Sequence, residues 1–258
     1  AVKNSKGTSM WNCIQHQLEG KSDISLSAGN TGVLLVISRM ILKMINEVSK
    51  PALAGLWPNQ NGMNVVLDLG ANIECSDRNL IDFAQLGSAL LKALFPKEIP
   101  KVSLLNIGSE EIKGTEMLKS ASKKLQDLSN LDYFVYKGYI EGNNIMSGKS
   151  NVIVTDGFTG NIALKTAEGT AKFITRNLKN TLTENLMSRL SLLLAYFPLK
   201  KFKEKLDPRK YNGAIFLGLD TPVVKSHGGT DYIGFSNSLN VCYKIVNGNL
   251  IDKIKYNI

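Results

Sequence analysis

The sequence has 258 residues, enough to bury a full hydrophobic core as one large domain or two small ones. Its 31 Lys and Arg outnumber 22 Asp and Glu, and the formal net charge of +9 favours acidic partners or anionic surfaces. Three widely spaced cysteines, no Cys-x-x-Cys pair and only two histidines argue against a disulfide scaffold and a metal site, and they favour reduced thiols in a cytosolic protein. The composition predicts neither a membrane-spanning helix nor a signal peptide.

Apolar runs rich in Val, Ile and Leu alternate with longer segments of helical periodicity through most of the sequence. This alternation is typical of an α/β fold with a mostly parallel sheet that is covered on both faces. The predicted strands are Asp23–Leu26, Val65–Asp68, Val102–Asn106, Leu131–Tyr136 and Val152–Thr155. The predicted helices are Thr31–Glu47, Asn79–Phe95, Ile112–Gln126 and Asn161–Met187.

Four of the predicted strands run directly into a short polar loop that contains glycine. These loops are SAGNTG (27–32), DLGAN (68–72), NIGSEEIKG (106–114) and DGFTGN (156–161). The loops after parallel strands emerge at one edge of the sheet, so we expect all four to converge on one crevice. Glycine and a following helix N-terminus together make an anion-binding site, although each loop taken singly could be a plain strand-to-helix turn.

Several familiar signatures are missing. The segment GNNIMSGKS (142–150) ends like a P-loop, but the first glycine of that motif would fall at Asn143 and the segment precedes a strand. No G-x-G-x-x-G follows a strand and no G-x-S-x-G occurs, so neither nucleotide chemistry nor a serine nucleophile is predicted. Cys75 has no base evident in the sequence, which argues against a catalytic cysteine. Zinc-finger spacing, an RNP-type aromatic pair and an arginine-rich block are also absent, so nucleic-acid binding is disfavoured.

The polar groups that remain are suited to holding anions: Asn30, Lys113, Thr159, Asn161 and His227. An isolated histidine is usually structural. His227, however, lies within VVKSHGGTD, whose lysine, serine and glycines predict a surface loop.

The basic excess is concentrated in residues 172–210, which hold ten Lys or Arg against three acidic residues. Leucines at 178, 182, 186, 190 and 193 recur at helical spacing in the same segment. This pattern predicts a basic amphipathic helix pair that lies on an anionic membrane or receives an acidic protein. The alternative is a helix pair packed on the core or across a dimer interface.

Five long motifs in chain order carry a family resemblance: SAGNTG, VVLDLGAN, VSLLNIGSEEIKGTE, VIVTDGFTGNIALKTAEG and DPRKYNGAIFLGLDTPVVKSHGG. Together they resemble the bacterial phosphate acyltransferases of phospholipid synthesis, the PlsX family, over almost the whole chain. Members of that family begin with a further α/β segment bearing an Asp-Ala-Met-Gly-Gly-Asp signature, and this sequence begins after it. Without that segment, the sequence does not account for one central strand and one wall of the crevice.

The resemblance implies transfer of a long-chain fatty acyl group from acyl carrier protein to inorganic phosphate, giving acyl phosphate for phospholipid synthesis. It implies a homodimeric, cytoplasmic enzyme that is peripherally associated with the inner face of the membrane. It implies no metal or other cofactor, and inorganic phosphate is a substrate. The implied fold is a single domain over residues 1–258, a three-layer α/β/α arrangement like isocitrate and isopropylmalate dehydrogenases, plus a basic helical hairpin in residues 172–210.

Phosphate is already an oxyanion nucleophile, so catalysis of this reaction rests on positioning and on stabilising the tetrahedral oxyanion. Lys113 and Asn161 are the predicted catalytic pair, with His227 assisting near the departing thiolate. The predicted phosphate- and substrate-binding residues are Gly29, Asn30, Thr31, Asp68, Asn72, Asp156, Gly157, Thr159 and Gly160. The predicted carrier or membrane contacts are Lys200, Lys201, Lys203 and Lys205.

Asp68 and Asn72 are expected to orient Lys113 or to complete the crevice, and capping of the following segment is an equal explanation of Asn72. Two other functions remain open: a phosphate acetyltransferase-like enzyme that uses acyl-CoA, and a non-catalytic membrane-associated scaffold. Nucleic-acid binding would leave the four glycine loops without a role.

Overall fold

The computed structural model describes residues 5–129, 133–205 and 207–257, which form nine α-helices and one eight-stranded sheet. The strands are β1 (Ser25–Ser27), β2 (Ala52–Pro58), β3 (Met63–Leu67), β4 (Lys101–Leu105), β5 (Val135–Ile140), β6 (Val152–Val154), β7 (Ala214–Leu217) and β8 (Val223–Lys225). The helices are α1 (Ser9–Leu18), α2 (Thr31–Ile41), α3 (Asp77–Leu94), α4 (Glu116–Leu128), α5 (Gly157–Thr183), α6 (Leu186–Leu194), α7 (Tyr196–Lys205), α8 (Tyr232–Asn247) and α9 (Leu250–Asn257). Two 3-10 segments cover Gly142–Ser147 and Pro208–Tyr211.

The strand order is β1-β8-β7-β2-β3-β6-β4-β5. The pairs β1–β8, β3–β6, β6–β4 and β4–β5 are parallel, whereas β8–β7, β7–β2 and β2–β3 are antiparallel. Strands β3 to β7 therefore run in one direction, and β1, β2 and β8 run in the other. The mostly parallel α/β sheet that the sequence predicts is confirmed, but its centre is antiparallel.

Alternate residues along the strands enter two separate hydrophobic clusters, one on each face of the sheet. Val152 and Val154 of β6 belong to one cluster, and Ile153 between them belongs to the other. Helices α3, α4, α8 and α9 contribute to the first cluster, while α1, α2 and the start of α5 contribute to the second. The sheet thus lies between two helical layers, and its strands are apolar because both of their faces are buried.

Helix boundaries differ from the predictions where a cap or a turn intervenes. Helix α2 ends at Ile41 instead of residue 47, because Leu42 is extended and the chain then pairs with Leu219. Helix α4 begins at Glu116 because Gly114 has a φ of +95° and Thr115 accepts a hydrogen bond as the N-cap. Helix α3 begins two residues earlier than predicted, after a capping box formed by Ser76.

Several elements were not among the predicted ones: β2, β7, β8, α1, α8 and α9. Strand β2 follows Pro51 and ends at Pro58, and prolines at both ends favour an interpretation as a loop. The predicted strand Leu131–Tyr136 begins at residues outside the described range, and the observed β5 starts at Val135.

The predicted helix pair in residues 172–210 is instead the second half of α5 followed by α6 and α7. Helix α5 has 27 residues. It ends shortly before Asn185, whose side chain caps the new helix α6. Helix α6 contacts α5 and α7. We call residues 172–205 the helical arm. No helix in the described part of the chain has the length and apolar composition needed to cross a bilayer.

Candidate active site

The glycine loops lie at two opposite edges of the sheet, not at one edge as predicted. Loops 68–72, 106–114 and 156–161 follow β3, β4 and β6, which run in the same direction. Loop 27–32 follows β1, which the antiparallel pairs in the centre of the sheet turn the other way. Loop 225–229 follows the neighbouring β8. We call the first three the first loop cluster and the last two the second loop cluster.

Asp68 organises the DLGAN turn of the first loop cluster. Its side chain is fully buried, and Oδ1 accepts hydrogen bonds from the backbone N–H groups of Leu53 (3.0 Å), Gly70 (3.1 Å) and Ala71 (2.9 Å). Oδ2 accepts from the backbone N and from Nδ2 of Asn72, both at 2.8 Å. The five donors use the carboxylate fully, so Asp68 holds the turn in place and has little capacity left for a ligand.

Asn72 ties the same turn to its surroundings. Its Nδ2 also donates to the backbone O of Pro51 at 2.7 Å, and its backbone O accepts from the N–H of Gly157 at 2.8 Å. Ser76, not Asn72, caps the following helix. Asn72 therefore joins the start of β2 to the start of α5.

The N-terminus of α5, the predicted anion seat, is filled by the chain itself. Asp156 is the N-cap: its Oδ1 accepts from the backbone N of Thr159 and its Oδ2 from Oγ1 of Thr159, both at 2.8 Å. The N–H of Gly157 is also engaged, by Asn72. A carboxylate already complements the partial positive charge of this helix end, which leaves less for a bound phosphate.

Gly157 and Gly160 allow α5 to approach the DLGAN turn closely. A Cβ atom on Gly157 would lie 2.4 Å from the backbone O of Asn72, and one on Gly160 would lie 1.9 Å from the backbone O of Asp68. The glycines in DGFTGN thus have a packing role that the sequence motif alone does not separate from ligand binding.

The predicted catalytic pair lies on the loops of the first cluster. Nδ2 of Asn161 donates to the backbone O of Leu69 at 3.1 Å, which uses one of its two amide hydrogens. Nζ of Lys113 forms an exposed ion pair with Oε1 of Glu110 at 2.8 Å, and this pairing raises the pKa of Lys113. Lys113 is therefore held by its own loop and not by Asp68.

The second loop cluster is built around the neighbouring ends of β1 and β8. Asn30 caps α2 by accepting the N–H of Val33 at 3.0 Å, and Ser226 donates its N–H to the backbone O of Ser27 at 2.9 Å. Gly29 donates its N–H to Oγ of Ser27 at 3.2 Å. Thr31 begins α2 beside them. The helix cap here is a neutral amide, so the charge of the helix end remains uncompensated.

His227 is fixed in this cluster by its loop. Its backbone N donates to Oδ1 of Asn212 at 2.9 Å, and its Nδ1 accepts the N–H of Gly229 at 3.1 Å. A neutral ring that accepts at Nδ1 carries its proton on Nε2. Nδ2 of Asn212 donates to Oγ of Ser226 and to the backbone O of Gly234, both at 2.9 Å. The sequence prediction missed Asn212, for which the only signal is its place before a glycine in YNGA.

Lys225 is a second residue that the prediction did not assign, although it lies within VVKSHGGTD. Its side chain is half-buried and Nζ donates to the backbone O of Ser226; burial lowers the pKa of Lys225. Ranges 27–32 and 225–229 contain no acidic residue, whereas the first cluster holds the carboxylates of Asp68 and Asp156. The local charge therefore favours an anion at the second cluster.

The structure does not bring the predicted catalytic residues into one constellation. Lys113 and Asn161 lie at the edge where β4 and β6 end, and His227 lies at the opposite edge. Helix α2 connects the two clusters, because it begins in the second cluster and its last turns line a groove with Ala71 and Asn72.

A thiol nucleophile at Cys75 and a metal centre are the remaining kinds of site to consider. Burial raises the pKa of the Cys75 thiol to about 11, which disfavours the nucleophilic thiolate. Within the residues that the structure describes, no three His, Cys, Asp or Glu side chains are grouped in a way that could hold a metal ion.

Three solved structures resemble the fold. A phosphotransacetylase from Staphylococcus aureus superposes with a TM-score of 0.60 at 15% identity, over 93% of this chain and 67% of its own. A phosphotransacetylase from Streptococcus pyogenes gives 0.60 at 17% identity, over 97% and 73%. A branched-chain phosphotransacylase from Enterococcus faecalis V583 gives 0.56 at 14% identity, over 92% and 78%. At these identities the likeness concerns the fold alone.

Comparison of sequences finds relatives of much higher identity than these structures. A family model described as a fatty acid synthesis protein matches residues 1–253. A phosphate acyltransferase from Pelagibacter ubique is 65% identical over 257 residues, which cover 100% of this chain and 77% of the relative. A phosphate acyltransferase from Maricaulis maris is 43% identical over 100% of this chain and 73% of its own length. The chain therefore belongs to the phosphate acyltransferase family, the PlsX family that its motifs resemble.

Proposed function

We propose that this protein transfers a long-chain fatty acyl group from acyl carrier protein to inorganic phosphate and so supplies acyl phosphate for phospholipid synthesis. The observation that carries the proposal is the 65% identity, over the full length of this chain, to a phosphate acyltransferase. Acyl carrier protein as the donor and the long acyl chain are the finer parts of the proposal.

The second loop cluster is the proposed phosphate site. Lys225 supplies a half-buried positive charge, and the N-terminus of α2 supplies N–H groups beside Gly29, Asn30 and Thr31. An oxygen of hydrogen phosphate attacks the thioester carbonyl carbon and forms the C–O bond of a tetrahedral oxyanion. The oxyanion collapses as the C–S bond breaks, and the departing thiolate takes the proton that the hydrogen phosphate loses. The Nε2–H of His227 is suited to donate a hydrogen bond to that sulfur or to the phosphate while keeping its proton.

Lys113 and Asn161 remain a separate proposed assignment. Each can donate to an oxyanion, since Asn161 keeps one amide hydrogen and Lys113 is exposed beside Glu110. Because they lie at the opposite sheet edge from His227, the two assignments compete, and substitutions in each cluster distinguish them.

The helical arm is the proposed contact surface for partners. Lys200, Lys201 and Lys203 are exposed on α7, next to exposed Phe197 and Phe202. In this proposal the arm binds the acidic acyl carrier protein and the anionic inner face of the membrane, so that a cytoplasmic enzyme associates with the membrane peripherally. Lys205, whose side chain lies outside the described atoms, is included by sequence.

We also propose that the protein is a homodimer and that its fold is of the isocitrate/isopropylmalate dehydrogenase-like class. The three-layer arrangement supports the second of these proposals.

Formation of acyl phosphate, trapped with hydroxylamine, tests the function directly. The purified chain is incubated with phosphate and either acyl carrier protein or CoA carrying the same acyl group. Faster turnover of the carrier-bound donor is the expected result. A preference for acyl-CoA would favour a phosphate acetyltransferase-like enzyme, and no product with either donor would favour a non-catalytic scaffold. No metal or organic cofactor enters the proposed reaction.

A further inference from the structure

Helix α2 presents an exposed apolar face that begins in the second loop cluster. Gly32, Val36 and Met40 are four residues apart, a spacing that places them on one side of the helix. Val36 is 41% exposed and Met40 is 64% exposed, while Leu34 and Ile37 on the other side are fully buried. The exposed residues thus form a track that starts at the proposed phosphate site.

The far end of this track is one wall of a groove of about 520 Å³. Leu35, Val36 and Met40 of α2 line it together with Pro51 and Ala71. The volume falls within the roughly 300–1,000 Å³ that is usual for small-molecule sites, and the lining is mainly apolar. Such a groove is suited to a flexible hydrocarbon chain.

Two polar residues, Arg39 and Asn72, also line the groove. Nδ2 of Asn72 is engaged by Pro51 and Asp68, which fixes its position. The side chain of Arg39 has no ion pair with the residues that the structure describes. A charged guanidinium is costly to cover with hydrocarbon, so it marks a limit to the apolar surface.

We propose that this groove holds the acyl chain of the substrate, which runs along α2 from the phosphate site, and that Val36 and Met40 set the preferred chain length. The inference rests on the proposed function, because the acyl chain is the apolar part of that substrate. Gly32 and Met40 are about 12 Å apart along the helix axis, a distance that only a long chain spans. A short acyl group stays near Gly32 and does not reach the groove.

Bulky substitutions on the track test the inference. Val36→Trp and Met40→Trp change exposed positions and therefore leave the fold intact. Each should lower kcat/KM for a palmitoyl donor by about tenfold or more while changing that for a butyryl donor by less than about twofold. Lys43→Trp adds the same ring just beyond α2, outside the groove, and should leave the ratio of the two donors unchanged. Equal ratios in the wild type and both track variants would overturn the inference.

A binding measurement separates this inference from the proposed reaction. Calorimetry with dodecyl phosphate and butyl phosphate, both stable phosphate monoesters, needs no turnover. The wild type should bind dodecyl phosphate more tightly, and Val36→Trp should remove most of that advantage. If the wild type makes no acyl phosphate, the proposed function fails while this measurement still decides the role of the groove. Equal affinity of the wild type for the two phosphates, or an undiminished advantage in the variant, would refute it.

Discussion

Gly160 lies directly against the backbone of Asp68, so that a Cβ atom on residue 160 would be 1.9 Å from the carbonyl oxygen of Asp68. Real Cβ atoms do not approach an oxygen so closely, and this oxygen belongs to the backbone, which cannot move aside as a flexible side chain can. Helix α5 can therefore start where it does only because residue 160 has no side chain. This contact, together with the hydrogen bond from Gly157 to Asn72, locks the two main motifs of the first loop cluster together.

Gly160→Ala should destabilise the protein, because the added methyl group forces α5 away from the DLGAN turn. We expect a loss of about 1–3 kcal/mol in the free energy of unfolding, measured by thermal or denaturant unfolding. Gly169→Ala is the matched control, since it lies in the same helix with nothing within 4 Å of the added Cβ. The control should gain up to about 1 kcal/mol from helix propensity. Similar stability of both variants would contradict the close contact.

Asp68→Asn should be strongly destabilising. The amide that replaces one carboxylate oxygen cannot accept hydrogen bonds, so some of the five donors around Asp68 lose their partner inside the protein. The expected cost is about 3 kcal/mol in unfolding free energy. Asp127→Asn, on the exposed face of α4, changes the same functional group and should have almost no effect. A small effect at position 68 would mean that the turn does not depend on this carboxylate.

The positions of β1, β3, β4 and β6 followed from the sequence, but those of β2, β7 and β8 and the reversed direction of β1 did not. Val65, Val102 and Val152 lie in strands as predicted, since continuous apolar runs are typical of strands buried on both faces. Strand β2 was missed because Pro51 and Pro58 bound it. Its antiparallel pairs with β3 and β7 leave β7 in the direction of β3, and the antiparallel pair of β7 with β8 then reverses β8 and β1 relative to β3, β4 and β6. A prediction of one crevice therefore failed for the SAGNTG loop.

The candidate site shows the same limit at the level of side chains. The motif DGFTGN predicts an anion seat, whereas the structure shows Asp156 as the cap and Gly160 as a packing residue. Glycines and polar residues at a helix N-terminus can serve either role, and only the contacts separate them. Lys225 and Asn212 take their places from β8 and from Gly234, which are distant in sequence from the SAGNTG loop.

Lys225→Ala should reduce acyl phosphate formation by about 100-fold or more if this lysine stabilises phosphate or the oxyanion. The KM for phosphate should rise as well, which steady-state kinetics at varied phosphate would measure. Lys244→Ala removes a charge on α8 that is more exposed than that of Lys225, and it should leave the rate unchanged. Lys113→Ala and Asn161→Ala provide the competing comparison. A loss only in the latter two variants would move the reaction to the first loop cluster.

The ion pair between α3 and α4 should make stability depend on pH in the acid range. Lys124 Nζ (2.8 Å) and Ser120 Oγ (2.6 Å) donate to Oδ2 of Asp77, and they lower its pKa to about 2. A carboxyl with a depressed folded-state pKa stabilises the protein above its ordinary pKa, near 3.8, and loses this contribution as the pH falls toward 2. Asp77→Asn should remove that part of the acid dependence. The contribution to the free energy of unfolding should be less than about 1 kcal/mol, because the pair is partly exposed. Unfolding measured from pH 5 to about 2 with Asp127→Asn as control checks this.

The helical arm gives the last prediction, which concerns partners and not the reaction. Changing Lys200, Lys201, Lys203 and Lys205 to Glu reverses the charge of α7 next to exposed Phe197. Because screened attraction to an acidic carrier or an anionic surface depends on these charges, binding should weaken at least about tenfold near physiological salt. Surface plasmon resonance with acyl carrier protein and flotation with vesicles containing phosphatidylglycerol measure the two interactions separately.

A charge-matched control decides whether the position of the lysines matters or only their number. Lys97, Lys123, Lys137 and Lys244 are exposed outside the arm, and their change to Glu alters the net charge by the same amount. If both quadruple variants lose binding equally, the arm has no special role and the overall charge of the protein is responsible. If the arm variant loses carrier binding but still forms acyl phosphate from a high concentration of donor, docking and chemistry are separate functions of two separate surfaces. Unchanged binding to both carrier and vesicles in the arm variant would remove the arm from the proposed partners' interface, while the reaction at the loop clusters would stand on its own measurements.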